Sequence, residues 1–256
     1  MRWQHLSLLL ALLGCRDEPA ARRPVRVAAA SDLSQAFEAI APGFEKETGL
    51  DVVFSFGASG HLAKQLALGA PFDVFAAADE GFVLDAVRSG ACDGASMARY
   101  ARGTLALVFQ DGERIPPSGL VDLESARFRK IAIANPAHAP YGRAAKQALI
   151  AAGVWDSVER RLLYAENVRQ ALQLLETKNA EAALVAHALV FGKPSARFVD
   201  VDAALHAPLD QALAVCRRGS EREGGAAFAR WVLAPRGAKL LASHGFLPPS
   251  PAVVAP

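Results

Sequence analysis

The chain has 256 residues, 52% of them hydrophobic, 21% charged and 7% aromatic, with a formal net charge of +2. That length supports one large or two medium domains with real cores. Its 28 Lys+Arg residues stand against 26 Asp+Glu and are scattered along the chain, so there is no basic stripe to grip a phosphate backbone, and nucleic acid is excluded as a partner.

At the N-terminus Arg2 and His5 precede an apolar run, Leu6 to Leu13, too short to remain in a bilayer as a spanning helix. It reads as a signal peptide. Leu12-Leu13-Gly14-Cys15 resembles the lipobox of bacterial lipoproteins, which implies a lipid on Cys15 and a soluble fold tethered to a membrane face by Arg16 to Pro24. Residues 1–24 are therefore assigned to signal peptide and tether.

Val25 to Ala29 is a short apolar strand, after which Leu33, Phe37, Ile40, Ala41 and Phe44 recur at helical spacing until Thr48-Gly49. Val52 to Phe56 is the next strand, Gly60 to Leu68 a helix closed by Gly69, Phe72 to Ala76 a third strand, and Asp79 opens a helix reaching Arg88. The pattern then restarts. Strands are expected at Leu105 to Phe109 and Ile131 to Ala134, a turn-rich connection at Ile115 to Gly119, helices at Gly142 to Ala152 and Val168 to Lys178, and a buried strand at Ala182 to Ala186. Leu213 to Cys216 reads as a late strand and Gly225 to Leu241 as one final amphipathic helix. Alternating strands and helices with short loops predict an α/β architecture of two lobes, each a mainly parallel sheet flanked by helices. The expected division is 25–104, 105–208 and a returning segment, 209–250, with hinge strands near Leu105 to Phe109 and Leu209 to Cys216. Cys92 and Cys216 lie far apart and lack metal-ligand spacing, so free buried thiols are expected in preference to a disulfide.

Four junctions carry the chemistry. Ala30-Ser31-Asp32, Ala58-Ser59-Gly60, Ala139-Pro140-Tyr141-Gly142 and Glu166-Asn167-Val168 each end a strand and open a helix with small or hydroxyl residues. A helix start offers unpaired N–H groups and a partial positive charge, so several starts facing one cleft make an anion receptor without a lysine or arginine. Ser31 or Ser59 alone reads more simply as a cap of its own helix. Gly60, directly after Ser59, removes a side chain where a backbone must come close.

These segments, with Phe56-Gly57-Ala58-Ser59-Gly60-His61-Leu62, Gly69-Ala70-Pro71-Phe72-Asp73-Val74 and Asn135-Pro136-Ala137-His138-Ala139-Pro140-Tyr141-Gly142, resemble the periplasmic molybdate-binding proteins of ABC importers, in order from about Val25 to Leu247. The resemblance implies a monomeric, non-enzymatic two-lobed protein of the type II periplasmic binding fold. It would trap molybdate or tungstate between its lobes, without a cofactor or direct protein–metal ligands, and deliver it to a membrane permease. Carried over by position, the contacts fall on Ser31, Ser59, Tyr141 and Val168, with backbone groups of Asp32 and Ala58 as secondary candidates. Some family members place a tyrosine hydroxyl on the ligand from the strand that here reads Leu184-Val185-Ala186; this chain has Ala186, and Tyr141 is the residue that would compensate.

Other polar residues read as structural: Asp79 as a helix cap, Asp73 in loop hydrogen bonding, Arg143 on a solvated face or in an ion pair between lobes, Glu166 as a favourable charge at a helix start. His61 and His138 lie beside ligand segments without being expected contacts. Phe37/Phe44 and Trp231/Leu240 are core stripes. No Gly-x-Ser-x-Gly, His-Glu-x-x-His or phosphate-loop motif occurs in the sequence. Three alternatives remain: the same fold with sulfate or another small anion, a tethered hydrolase using Ser59 with His61 or His138, and a lipoprotein that only docks partner proteins.

Overall fold

The computed structural model describes residues 23–110 and 115–250; the signal segment and Cys15 lie outside the described residues. The first run of elements is β1 (Val25–Ala30), α1 (Ser34–Thr48), β2 (Val52–Gly57), α2 (Ser59–Ala67), β3 (Val74–Ala77), α3 (Glu80–Arg88) and β4 (Ala98–Gly103). The second is β5 (Leu105–Phe109), β6 (Ile131–Ala134), α4 (Pro140–Ala151), the short α5 (Trp155–Val158), β7 (Leu162–Ala165), α6 (Val168–Glu176), β8 (Ala182–Ala186) and β9 (Arg197–Asp200). The chain ends in β10 (Leu209–Val215), α7 (Arg222–Leu233) and α8 (Pro235–Ala242).

Two five-stranded sheets result, in the orders β2-β1-β3-β10-β4 and β7-β6-β8-β5-β9. In each, three strands run parallel in the order second, first, third, and the fourth lies antiparallel beside them. Since β4 and β9 are antiparallel in turn to β10 and β5, four of the five strands in each sheet point the same way and one is reversed: mainly parallel, mixed sheets. The antiparallel strands are the ones that have just crossed between lobes: β5 follows β4 through Thr104, and β10 follows β9 after residues 201–208. The hinge therefore falls just ahead of β5 and β10, while the strands themselves are buried inside their sheets.

β1, β3, β5, β6 and β8 are almost wholly buried runs of Ala, Val, Leu, Ile and Phe, as strands covered on both faces must be. Sequence reading missed β4 and β9, which lie at sheet edges and carry Arg99, Arg102 and Arg197. Edge strands tolerate such charge, and Arg99 and Arg102 are paired with Glu80 at 2.6 Å and Asp210 at 3.0 Å. The first lobe packs around aromatic rings, Phe228 of α7 lying 5.5 Å from Phe37, 5.3 Å from Phe44 and 5.9 Å from Phe54.

Two expectations are corrected. The final helix is broken in two, because Pro235 has no N–H to continue the ladder and the residue before it, Ala234, is extended at ψ 159°. Cys92 and Cys216 are not free thiols but a disulfide. Their backbones meet as an antiparallel bridge flanked by the bonds Asp93 N–H to Val215 O and Arg217 N–H to Ala91 O, the non-hydrogen-bonded arrangement that brings side chains closest. A crosslink over a separation of 124 residues restricts the unfolded chain strongly. The double variant Cys92→Ser/Cys216→Ser is expected to lose about 2–5 kcal/mol in urea unfolding.

Candidate oxyanion-binding site

The carboxyl ends of β1, β2, β6 and β7 lead into the helix starts singled out above, the edge of a sheet where α/β proteins hold their ligands. Ser31, Asp32, Ala58, Ser59, Tyr141 and Val168, all six residues named from sequence, line one small void between the lobes. Neither serine caps its helix. Ala30 precedes the single 3-10 turn Ser31–Leu33 that leads into α1, Ala58 precedes α2 and Ala139 precedes α4, and none of the three has a side chain able to cap. The first-turn N–H groups of Ser59 and Tyr141 are consequently left without a capping partner. At α6, Asn167 Oδ1 accepts from Gln170 N–H at 3.0 Å, leaving the Val168 amide outside the cap. Ser59 Oγ accepts from Ala78 N–H at 3.1 Å, so its own proton remains to be donated. Ser31 Oγ makes no hydrogen bond to another described residue. Among the described residues no lysine or arginine lines the void.

Beneath the helix starts lies a polar network that sequence reading did not anticipate. Tyr141 Oη donates to Asp32 Oδ2 at 3.1 Å, Gln211 Nε2 donates to the same oxygen at 2.6 Å, and Tyr100 Oη donates to Gln211 Oε1 at 2.8 Å. The Tyr141 hydroxyl is thus directed at Asp32, which bears on its expected role as a substitute for a tyrosine at Ala186; Ala186 itself ends β8 fully buried. Tyr141 reaches across the lobes because Gly103 of β4 leaves room: a Cβ there would collide with the tyrosine hydroxyl. A glutamine within the apolar run of β10 was the one signal for Gln211. Burial pushes the Asp32 carboxyl up to about 6, against the lowering effect of the bonds from Gln211 and Tyr141. Burial likewise raises the Tyr141 and Tyr100 hydroxyls well above the ordinary tyrosine range, helped by the neighbouring Asp32 charge.

Around the void the lobes are clasped together. Gly60 N–H donates to His138 O at 3.0 Å, and a Cβ on Gly60 would lie 2.8 Å from that oxygen, so the side chain is absent where the two backbones touch. His61 stacks on His138 at 3.8 Å between centroids and pairs with Glu166 at 3.0 Å. Arg143 pairs with Asp79 at 2.7 Å and covers the Phe82 ring at 4.9 Å. Asp79 also caps α3 through Gly81 N–H, and Asp73 ties Arg26 and Glu221 amides together, the structural roles expected of both. No hydrogen bond joins Ser59 to His61 or His138 among the described residues, so the pairing a serine hydrolase needs is not formed.

The geometry can be set beside known proteins. Residues 25–247 match the family described as bacterial extracellular solute-binding protein. The molybdate-binding protein ModA of Rhodobacter capsulatus is 32% identical over 93% of this chain and 94% of its own, and that of Azotobacter vinelandii 31% over 94% and 95%. The solved periplasmic molybdate-binding protein of Azotobacter vinelandii superposes with a TM-score of 0.82 at 28% identity, covering 88% of this chain and all of that one. The chain belongs to the bacterial extracellular solute-binding family. Membership makes this an extracytoplasmic solute-binding protein, and the relatives compared are themselves binding proteins.

Because Asp32 holds its proton to higher pH when folded than when unfolded, stability as far as this group is concerned is greatest below its unfolded value of 3.8 and declines as pH rises from there through about 6. The loss attributable to Asp32 is about 3 kcal/mol, two pKa units of linkage. Urea unfolding of the wild type and of Asp32→Asn from about pH 3 to 8 should show a difference between the two proteins that changes by that order, in the direction of relative gain for the asparagine variant at high pH.

Proposed function

We propose that this protein captures molybdate or tungstate between its lobes and delivers it to an ABC permease, and that a lipid on Cys15 holds it as a monomer at the periplasmic face of a bacterial membrane. The observation that carries the reading is the convergence of uncapped helix starts from both lobes, with the Ser31 and Ser59 hydroxyl protons of the first, on a void with no cation among its described lining residues. A tetrahedral dianion presents four acceptor oxygens and no proton, which such donors satisfy. The proposed contacts are the Ser31 and Ser59 hydroxyls with their amides, and the amides of Tyr141 and Val168, with Asp32 and Ala58 backbone groups beside them. The relatives named for molybdate support the choice of cargo. Sulfate has the same bonding pattern in a smaller ion, so discrimination against it rests on the size to which the closed lobes are fixed by contacts such as Gly60 to His138.

Thermal unfolding with molybdate, tungstate, sulfate and phosphate tests the reading: ligand at about 1,000 times its Kd adds about 4 kcal/mol, and stabilisation by the first two but not the last two is the expected order. Ser59→Ala should weaken molybdate binding by about 1–3 kcal/mol in calorimetry. It should also lower stability without ligand, because the buried Ala78 N–H loses its acceptor. Gly60→Ala should weaken binding at least about tenfold by obstructing closure, with less effect on the stability of the unliganded protein.

A further inference from the structure

Asp32 has no evident place in a site made only of donors. Its side chain is 1% exposed in the wall of the interlobe void, and its carboxylate, if ionised, would stand beside the captured dianion. We infer that Asp32 takes up a proton as the oxyanion is captured, so that closing the lobes on a dianion is coupled to neutralising this carboxyl; the inference rests on the oxyanion reading above.

The surroundings supply no countercharge. Oδ2 accepts from the neutral Tyr141 hydroxyl of α4 and the Gln211 amide of β10, while Oδ1 is buried with no hydrogen-bond partner. Tyr100 of β4 addresses Gln211 rather than the carboxyl. From α6, Arg169 turns to Ser34 Oγ at 3.3 Å. His187, in the turn after β8, faces Thr104 at 3.3 Å and Asp200 at 3.5 Å. From α1, Gln35 donates to Leu189 O, and β2 contributes no titratable residue.

An ionised carboxyl in this setting has two neutral side-chain donors on one oxygen, and although the Asp32 and Leu33 amides also favour its charged form, burial outweighs them all and leaves the charge poorly compensated. Desolvation has already moved its titration up to about 6, and a dianion in the same void acts in the same direction. The proton matters for selectivity as well. Ionised, Asp32 is an acceptor suited to a hydroxyl-bearing ion such as monohydrogen phosphate; protonated, it leaves the lining composed of donors and favours an ion with no proton of its own. No bond is made or broken besides this one proton transfer from solvent to the carboxylate.

The test is calorimetric titration of the protein with molybdate at about pH 7.5 in buffers of different ionisation enthalpy, which reads protons taken up per ligand bound. Uptake of roughly 0.5 to 1 proton is expected, with affinity falling by up to about tenfold per pH unit across the alkaline range, and both effects absent in Asp32→Asn. Tight binding without proton uptake overturns the inference and leaves the oxyanion reading standing. Uptake that persists in Asp32→Asn assigns the proton elsewhere and overturns it too. Failure of the wild type to bind molybdate overturns both. Should the variant not fold, infrared difference spectra of the wild type decide the matter: ligand should convert a carboxylate band into the C=O stretch of a protonated acid, and an unchanged carboxylate band refutes the coupling.

Discussion

An anion removed from water must be met, oxygen by oxygen, by groups that have nothing else to bond. In the function proposed here those groups are the amides that helices leave unpaired at their starts. The sequence keeps them unpaired by placing alanine at three N-cap positions, Ala30, Ala58 and Ala139, where Ser, Asp or Asn would each stabilise the helix by about 0.5–2 kcal/mol. Side-chain caps are present at α3, through Asp79, and at α6, through Asn167, whereas α7 and α8 also start without one. What sets the cleft apart is therefore not the missing caps alone but that three such starts face one void.

The second requirement is that the two halves of the donor set meet. Each sheet receives its antiparallel strand from the crossing that links it to the other lobe, so the two crossings lie beside one another and leave the lobes free to turn. Closure is then registered by contacts with little tolerance. Gly60 touches a backbone carbonyl, Gly103 clears the path of the Tyr141 ring, and Arg143 meets Asp79. The exposed pairs among these contribute little energy. Their value lies in position, since each is satisfied in one relative placement of the lobes.

Most of this architecture was legible because the strands are buried alanine- and valine-rich runs and the helices have clear 3.6-residue faces. All six residues named for the site do line one void, because they sit at strand-to-helix junctions that any parallel α/β sheet gathers along one edge. What escaped reading depends on pairing between distant segments. Nothing local to Cys92 announces that β10 will run beside it, and Gln211 acquires meaning only when Asp32 and Tyr141 arrive from chain positions far away. Edge strands β4 and β9 lack the apolar alternation that periodicity detects. Glu166, read as a helix-start charge, turns instead to His61 of the opposite lobe, a contact created by closure and invisible in either segment alone.

The absence of lysine and arginine from the void has a consequence for release of the proposed cargo. Coulomb attraction to a fixed cation falls only as the inverse of distance, so a lobe bearing one would keep hold of a dianion after opening. Hydrogen bonds from amides and hydroxyls are short-ranged and are lost once donor and acceptor separate beyond about 3.5 Å. A donor set divided between Ser31 and Ser59 on one side and Tyr141 and Val168 on the other is complete only in the closed form. Opening by a few ångströms removes half of the bonds at once, and water replaces them. A partner that pries the lobes apart therefore needs to supply only the closure energy, not the full electrostatic work of extracting an ion from a countercharge.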